Sequence, residues 1–282
     1  MKKIFRKKIA ITGGRGTLGS YFYNKYKKKY NIIRYPYRLE NFKLMNLWLK
    51  NNSFDYFIHF AAVITKNNKN YKNINLINTK CSIELLKNLF RIKNSKLKYF
   101  LYISTAHVYG FSKKKFTEKS IRKPNTRYGK TKKIVEDFIL SNKNKDLFKV
   151  GVARIFNYTF KNQKIGHFIP DLYEKIRLNK IIPNINTHRD FIHIDDIARA
   201  LELMLRKKAN YPINVCSGKK VNLIKLAKKL NNLTFKKNIT FNTRKLKNNF
   251  NICGKNRLLN SLGIKKFKNT DSILKSFLNE NK

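Results

Sequence analysis

A short apolar run, Lys8–Thr12, leads without interruption into TGGRGTLG, residues Thr12 to Gly19, and a helical pattern over Leu18–Lys29 follows. Gly13, Gly16 and Gly19 are spaced three apart. In a strand–turn–helix unit each has a separate task. The first permits a tight turn, the second lets backbone approach a pyrophosphate, and the third lets the helix pack close to the sheet. The amides of the new helix's first turn, at Thr17 and Leu18, then face the phosphates. The competing reading is a glycine-rich turn with no ligand. The position between an N-terminal strand and an amphipathic helix favours the phosphate reading.

The rest of the chain continues the same alternation. Strands are predicted at Asn31–Tyr35, Tyr56–Phe60, Tyr99–Ser104, Lys149–Ile155 and Ile213–Cys216, with helical patterns around Leu76–Ile92, Tyr128–Leu140 and Ile197–Leu205. Unbroken apolar strands between helices predict an α/β fold, a doubly wound parallel sheet covered on both faces. Residues 1–155 read as the sheet domain. Residues 156–282 read as a smaller C-terminal substrate-binding lobe, with a segment near 189–217 returning to the sheet. Lys66–Lys72 and Ser141–Lys145 read as solvated loops. No internal repeat is visible.

The 282 residues are 42% hydrophobic, so a core is affordable, yet 64 Lys and Arg against 15 Asp and Glu leave a formal charge of +49. Such a charge usually points to nucleic acid. Here the excess is spread along the chain, and Asn, Ile, Tyr and Phe are abundant while Gly and Pro number only 11 and 5. A/T-rich codons account for the whole pattern, so no specific nucleic-acid partner is expected. An anionic ligand would still be drawn in. Cys81, Cys216 and Cys253 are odd in number and widely spaced, which gives neither a metal site nor a disulfide framework and suits a reducing compartment. After MKKIFRKK only four apolar-type residues, Ile9–Thr12, precede the glycines. No leader and no membrane span is expected, and the location is read as cytoplasmic.

The residues that carry chemistry lie in the middle. ISTAHVYG ends a strand with Ser104 and Thr105, and YGKTK places Tyr128 and Lys132 four apart, on one helix face. A phenol of pKa about 10 is a poor base at neutral pH, and a neighbouring ammonium would lower it. After the second strand, IIRYPYRLE offers Arg34 and Arg38 and no acid before Glu40, while Arg15 sits within the glycine turn. An acid there would hold a ribose 2′-hydroxyl, whereas basic residues favour a 2′-phosphate, so NADP is favoured over NAD.

Together these motifs resemble the extended short-chain dehydrogenase/reductases, the NAD-dependent epimerase/dehydratase family, over nearly the whole chain. DYFIHFAA, ending in Ala61 and Ala62, resembles the third-strand signature beside the coenzyme. INTKCSIELL resembles the helix whose asparagine, here Asn78, supports the active site. ARIFN, with Asn157, resembles the start of the substrate lobe, and RDFIHIDDIARAL, beginning at Arg189, resembles sugar-nucleotide members; INVCSG follows. The resemblance implies that Tyr128 exchanges a proton with a sugar oxygen, that Thr105 hydrogen-bonds that oxygen, and that Lys132 holds the nicotinamide ribose.

In the family's 4,6-dehydratases the threonine is followed by Asp-Glu; here Ala106 and His107 follow, which argues against water loss. A reductase of a nucleotide-linked 4-keto-6-deoxyhexose, with GDP favoured and serving surface-polysaccharide synthesis, is the expected activity. A 4-epimerase with tightly held NAD is the alternative, and a non-catalytic NAD(P)-binding regulator the distant one. RIFNYTFKNQKIGHFIPDL resembles GDP-4-keto-6-deoxymannose reductases, although Phe160-Lys161 stands where the family often has Gly-Pro. His107 and His167 fall near acid/base positions of GDP-fucose synthases; lining the pocket or binding substrate is the simpler role for both. Arg189 could pair with a substrate diphosphate or, more plainly, with Asp190 or Asp195. Asp195 and Asp196 read as a helix cap rather than a metal site. Relatives pair through two helices, so a homodimer is expected.

Overall fold

The computed structural model describes residues 6–64, 71–92, 96–142, 147–161, 163, 166–242 and 251–278. Its sheet strands are β1 (Lys8–Thr12), β2 (Asn31–Arg34), β3 (Tyr56–His59), β4 (Tyr99–Thr105), β5 (Lys149–Ile155) and β7 (Pro212–Val215); a short β6 (His188–Arg189) and β8 (Val221–Asn222) pair apart from them. The six strands run parallel in the order β2-β1-β3-β4-β5-β7. The order turns back at β1, and the C-terminal ends of β1 and β3 flank that reversal, where open α/β sheets bind ligands.

The helices are α1 (Thr17–Tyr26), α2 (Phe42–Asn51), α3 (Tyr71–Asn75), α4 (Ser82–Ile92), α5 (Arg127–Ser141), α6 (Phe168–Arg177), α7 (Ile194–Lys207), α8 (Leu223–Leu233), α9 (Arg257–Ser261) and α10 (Thr270–Leu278). A π-helical stretch, Leu76–Cys81, joins α3 to α4. Strand alternation sorts the core into two layers. Ile9, Ile11, Leu101, Ile103 and Ile213 pack with α1, α7 and α9, through Phe22, Leu201, Met204 and Leu259. Ala10, Phe57, Phe100, Tyr102 and Val152 face α2, α4 and α5, through Met45, Leu89 and Val135. A separate cluster, including Leu172, Leu226, Leu230 and Phe277, holds α6, α8 and α10 together.

Most of the stretch 66–72 lies outside the described residues, but helix α3 already begins at Tyr71, so Lys72 is helical rather than in a loop. Of Ser141–Lys145, Ser141 ends α5 and the last three residues lie outside the description. Among the described residues no helix is long and apolar enough to cross a membrane. Among them too, Lys132 and Arg154 are the lysine and arginine that are buried, in a chain with 64 such residues.

Candidate active site

A cleft of about 650 Å³ opens where the glycine turn, the ends of β4 and β5, and the start of α6 meet. Gly13, Gly16, Thr17, Leu18 and Gly19 form one wall, with Ala62 beside them. Gly13 has φ +64°, and the Gly16 amide donates to its carbonyl at 3.0 Å, which closes the turn. A Cβ on Gly13 would lie 2.5 Å from the Ala61 nitrogen, so Ala61 backs the turn while Ala62 reaches the cleft. Gly16 is the residue before α1, and no side chain caps that helix. The exposed cradle and uncapped amides at a ten-residue helix suit an anion there, and the turn fits the pyrophosphate of a dinucleotide.

Beyond β2, Arg34 stacks its guanidinium 4.5 Å from the Tyr23 ring centre, and its stem lies over Gly14. Arg15 is exposed on the turn. Arg38 stands apart, in a shallow depression with Tyr37, Asn41 and Phe42. Arg34 therefore sits nearer the turn than Arg38, a distinction that spacing alone did not make.

Thr105, Tyr128 and Lys132 line the same cleft. Thr126 caps α5 by accepting from the Gly129 amide, and the helix then presents Tyr128 and Lys132 one turn apart. The Lys132 Nζ donates to the Ile103 carbonyl at 2.8 Å and lies 4.6 Å from the Tyr102 ring centre and 6.0 Å from that of Tyr128. The expected lowering of the phenol is reversed. Packing around Tyr128 pushes it above its ordinary value, with the nearby Tyr158 adding to the effect. Burial instead moves the lysine, down to about 7, against an upward pull from Glu136. An ammonium 6.0 Å from a ring centre does not offset the loss of water around the phenol.

That shift carries a stability prediction. Between pH about 7 and 10.5 the unfolded lysine holds a proton that the folded one releases, so this group makes the fold more stable as pH rises through that window. A Lys132→Met variant lacks this contribution. In urea unfolding, the stability of the native chain relative to Lys132→Met should therefore increase from pH 7 to pH 10; a difference that shrinks over this range would mean the lysine is not buried as a strained cation.

Asn78 lies in the π-helical stretch, fully buried. Its amide accepts from the Val63 N–H at 2.8 Å, donates to the Val63 carbonyl at 2.9 Å and donates to Thr131 at 3.3 Å. It thereby ties the loop after β3 to α5 from behind the cleft. Asn157 lines the cleft and donates to the Asp190 carbonyl at 3.0 Å. Arg189 projects into it over Phe168, 4.9 Å from the ring centre, and its buried Nε has no partner. The plainer pairings do not form: Asp190 accepts from Ser217 and Gly218, and Asp195 from Tyr21, Lys25 and Lys268. The α7 cap is His193, which accepts from the Asp195 amide, while Asp195 and Asp196 occupy the first turn.

His107 meets the Tyr128 ring edge-on, centres 6.3 Å apart, and its buried Nδ1 lacks a partner. Burial, then the Arg189 charge, push this imidazole down to about 4. At neutral pH it is uncharged, which suits ligand binding better than proton storage. His167 precedes α6 and lines the same cleft. Near the Phe160-Lys161 departure, Thr159 donates to Gln163 at 2.9 Å and Phe160 packs edge-on against Tyr21. Among the described residues no group of His, Cys, Asp and Glu could hold a metal ion.

Residues that spacing did not reveal lie just beneath. Glu136, fully buried on α5, accepts from Ser104 at 2.5 Å and from Arg154, whose Nη2 is at 2.7 Å. Its only signal in the sequence is its place four residues past Lys132, in a chain short of acids.

A parallel sheet of this order, a glycine turn that cradles an anion and a buried Tyr–Lys pair at the strand ends define a Rossmann-type nicotinamide enzyme. Residues 9–216 match the NAD dependent epimerase/dehydratase family, and the chain belongs to it. It is similar to the GDP-6-deoxy-D-talose 4-dehydrogenase of Aggregatibacter actinomycetemcomitans, 27% identical over 222 residues that cover 75% of this chain and 74% of the relative. Among solved structures, WbmG of Bordetella bronchiseptica in complex with NAD superposes with a TM-score of 0.84 at 18% identity, covering 99% of this chain and 95% of that one. RMD of Pseudomonas aeruginosa complexed with NADPH gives 0.83 at 23%, covering 97% of each.

Proposed function

We propose that this chain reduces the 4-keto group of a nucleotide-linked 6-deoxyhexose, GDP-linked by preference, with NADPH. The observation that carries the reading is the cleft lining: Tyr128 and Thr105 share one cleft, and Ala106 and His107 follow Thr105 where water loss would need a carboxylate pair. Reduction of a ketone needs a proton donor at the nascent alkoxide, and the Tyr128 phenol, raised by burial, is one at neutral pH. The named activity of the Aggregatibacter relative, a 4-dehydrogenation of a GDP-linked 6-deoxy sugar, is the same bond change run backwards.

The bound nicotinamide would supply the hydride. In this reading the Tyr128 hydroxyl gives its proton to the C4 oxygen, and the Thr105 hydroxyl donates a hydrogen bond to it. Lys132 would hold the coenzyme's nicotinamide ribose, and Asn78 keeps the loop after β3 fixed against α5. Arg189, with its free Nε, would take the substrate diphosphate. The product would feed surface-polysaccharide assembly. The chain would pair with a second copy through α4 and α5, where Ile134 is half exposed.

The test is incubation with NADPH and a panel of nucleotide-linked 4-keto-6-deoxysugars, following coenzyme absorbance. Steady oxidation supports the reading. Conversion of UDP-glucose to UDP-galactose with retained NAD would replace it with a 4-epimerase. Coenzyme binding without turnover of any sugar would point to a regulator.

The preference for NADPH rests on Arg15 and Arg34 flanking the turn with no acid after β2 before Glu40. Charge-assisted hydrogen bonds contribute about 1.5–3 kcal/mol, so Arg15→Ala with Arg34→Ala should lower the NADPH/NADH ratio of kcat/KM at least about tenfold. An unchanged ratio would move the coenzyme's 2′ position elsewhere.

A further inference from the structure

We propose that Glu136 is a positioning residue: clasped by Ser104 and Arg154, it forms the second of two anchors that hold Tyr128 and Lys132 in register with Thr105. The inference rests on the reading that Tyr128 and Lys132 act at the cleft. It starts from three consecutive residues at the end of β4. The Ile103 carbonyl accepts from Lys132, the Ser104 hydroxyl donates to Glu136, and Thr105 faces the cleft. On α5 the two partners are one turn apart, about 6 Å along the axis. A single contact would let the helix roll and slide about it. Two contacts, adjacent on the strand and a turn apart on the helix, fix both motions.

Glu136 is in turn immobilised. Arg154 grips it through Nε at 3.1 Å and Nη2 at 2.7 Å, and Arg122 adds Nη1 at 3.1 Å. The other Arg154 nitrogen reaches the Tyr109 hydroxyl at 2.7 Å, which donates to Asn214 on β7 at 2.7 Å. The catalytic helix is thereby tied to β4, β5 and β7 through one carboxylate. The groups facing Lys132 are Tyr102 from β4, His59 from β3, and Tyr128 and Glu136 from its own helix, with Arg154 behind the last. Glu136 is the anion among them, and it supports the lysine's proton against burial.

A buried ion pair can also be mere packing, and in that case an apolar pair of similar size replaces it without loss. Three variants separate the two roles. Ser104→Ala removes the anchor and leaves the charges. Glu136→Gln keeps the shape and removes the anion. Glu136→Met with Arg154→Met removes the pair together and keeps the chain foldable if the single variant is not. Positioning errors near 1 Å cost about 10²-fold in rate. The expected result is that Ser104→Ala and the double variant fold, bind coenzyme normally and lose about 10²-fold in kcat with little change in KM. In Glu136→Gln the alkaline limb of the pH–rate profile should move to lower pH, whereas in Ser104→Ala it should stay.

A second readout needs no substrate. The Tyr128 titration, isolated as the ultraviolet difference between each protein and its Tyr128→Phe counterpart, should fall toward the ordinary value of about 10 in the double variant, as a loosened helix admits water. If the wild type turns over no sugar, the proposed reaction fails while this titration still decides the role of Glu136. A double variant with wild-type kcat, or with an unmoved Tyr128 titration where there is no turnover, would overturn the inference.

Discussion

Tyr128→Phe should lower kcat by about 10²–10⁴-fold, the range a positioned general acid contributes. The substitution removes one oxygen and leaves the ring, which packs against His107 and stands beside Lys132, so the fold and the glycine turn should be untouched. KM for the sugar and affinity for the coenzyme should change only slightly, since a group acting in the transition state lowers kcat and kcat/KM together. The raised phenol adds a second, independent signature. Its proton is present through the whole neutral range, so Tyr128 gives no falling limb near pH 7 in the reductive direction. His107, already neutral above pH about 4, adds none either. Steady-state kinetics from pH 5.5 to 9 on both proteins checks the point. A Tyr128→Phe enzyme retaining more than a tenth of the rate would show that the proton comes from another group.

The sequence disclosed the strands far better than the helices, and the reason is contrast. Val150–Ala153 and Tyr99–Ile103 carry no charged residue because both faces are covered, and such runs stand out even in a basic chain. Helix recognition depends on a polar face differing from its surroundings. In α2 (FKLMNLWLKN) and α8 (LIKLAKKLNNL) the polar face is Lys and Asn, the same residues that fill the loops, so both passed unread. The helix α6, with apolar Ile169, Leu172 and Ile176, is not among the predicted helices; Pro170 stands in its first turn, where its missing N–H does no harm.

At the site, spacing located Thr105, Tyr128 and Lys132 but misjudged their electrostatics. Four residues on a helix set proximity; they say nothing of how much water reaches a phenol, and here desolvation outweighs the ammonium. Glu136 was missed for the opposite reason. An acid on a lysine-rich helix normally faces solvent, and it takes Ser104, Arg122 and, eighteen residues on, Arg154 from β5 to make a buried carboxylate tolerable.

The glycine turn allows structure and function to be separated in one experiment. Gly13→Ala should both destabilise the protein and abolish coenzyme binding. Its φ of +64° is the left-handed region, which an L-residue occupies at a penalty of about 1–2 kcal/mol. The new methyl would also stand 2.5 Å from the Ala61 nitrogen and 2.7 Å from its Cα, backbone atoms that follow β3 and cannot withdraw without disturbing the β1–β3 ladder. The thermal midpoint should fall by at least about 4 °C. Gly16→Ala is the control. Gly16 has φ −77°, open to any residue, and its added Cβ would meet only the Gly13 carbonyl oxygen, at 3.3 Å. Its midpoint should fall much less than that of Gly13→Ala, since this contact asks the Gly13 carbonyl to give by only a few tenths of an ångström. Yet that methyl enters the cradle in front of the α1 amides. Losing even one amide bond to a phosphate removes about 1.5–3 kcal/mol, so coenzyme affinity should drop at least about tenfold. Titration of coenzyme fluorescence alongside thermal melts would read both effects. A Gly16→Ala protein that melts normally and still binds NADPH at full strength would take the pyrophosphate away from this turn.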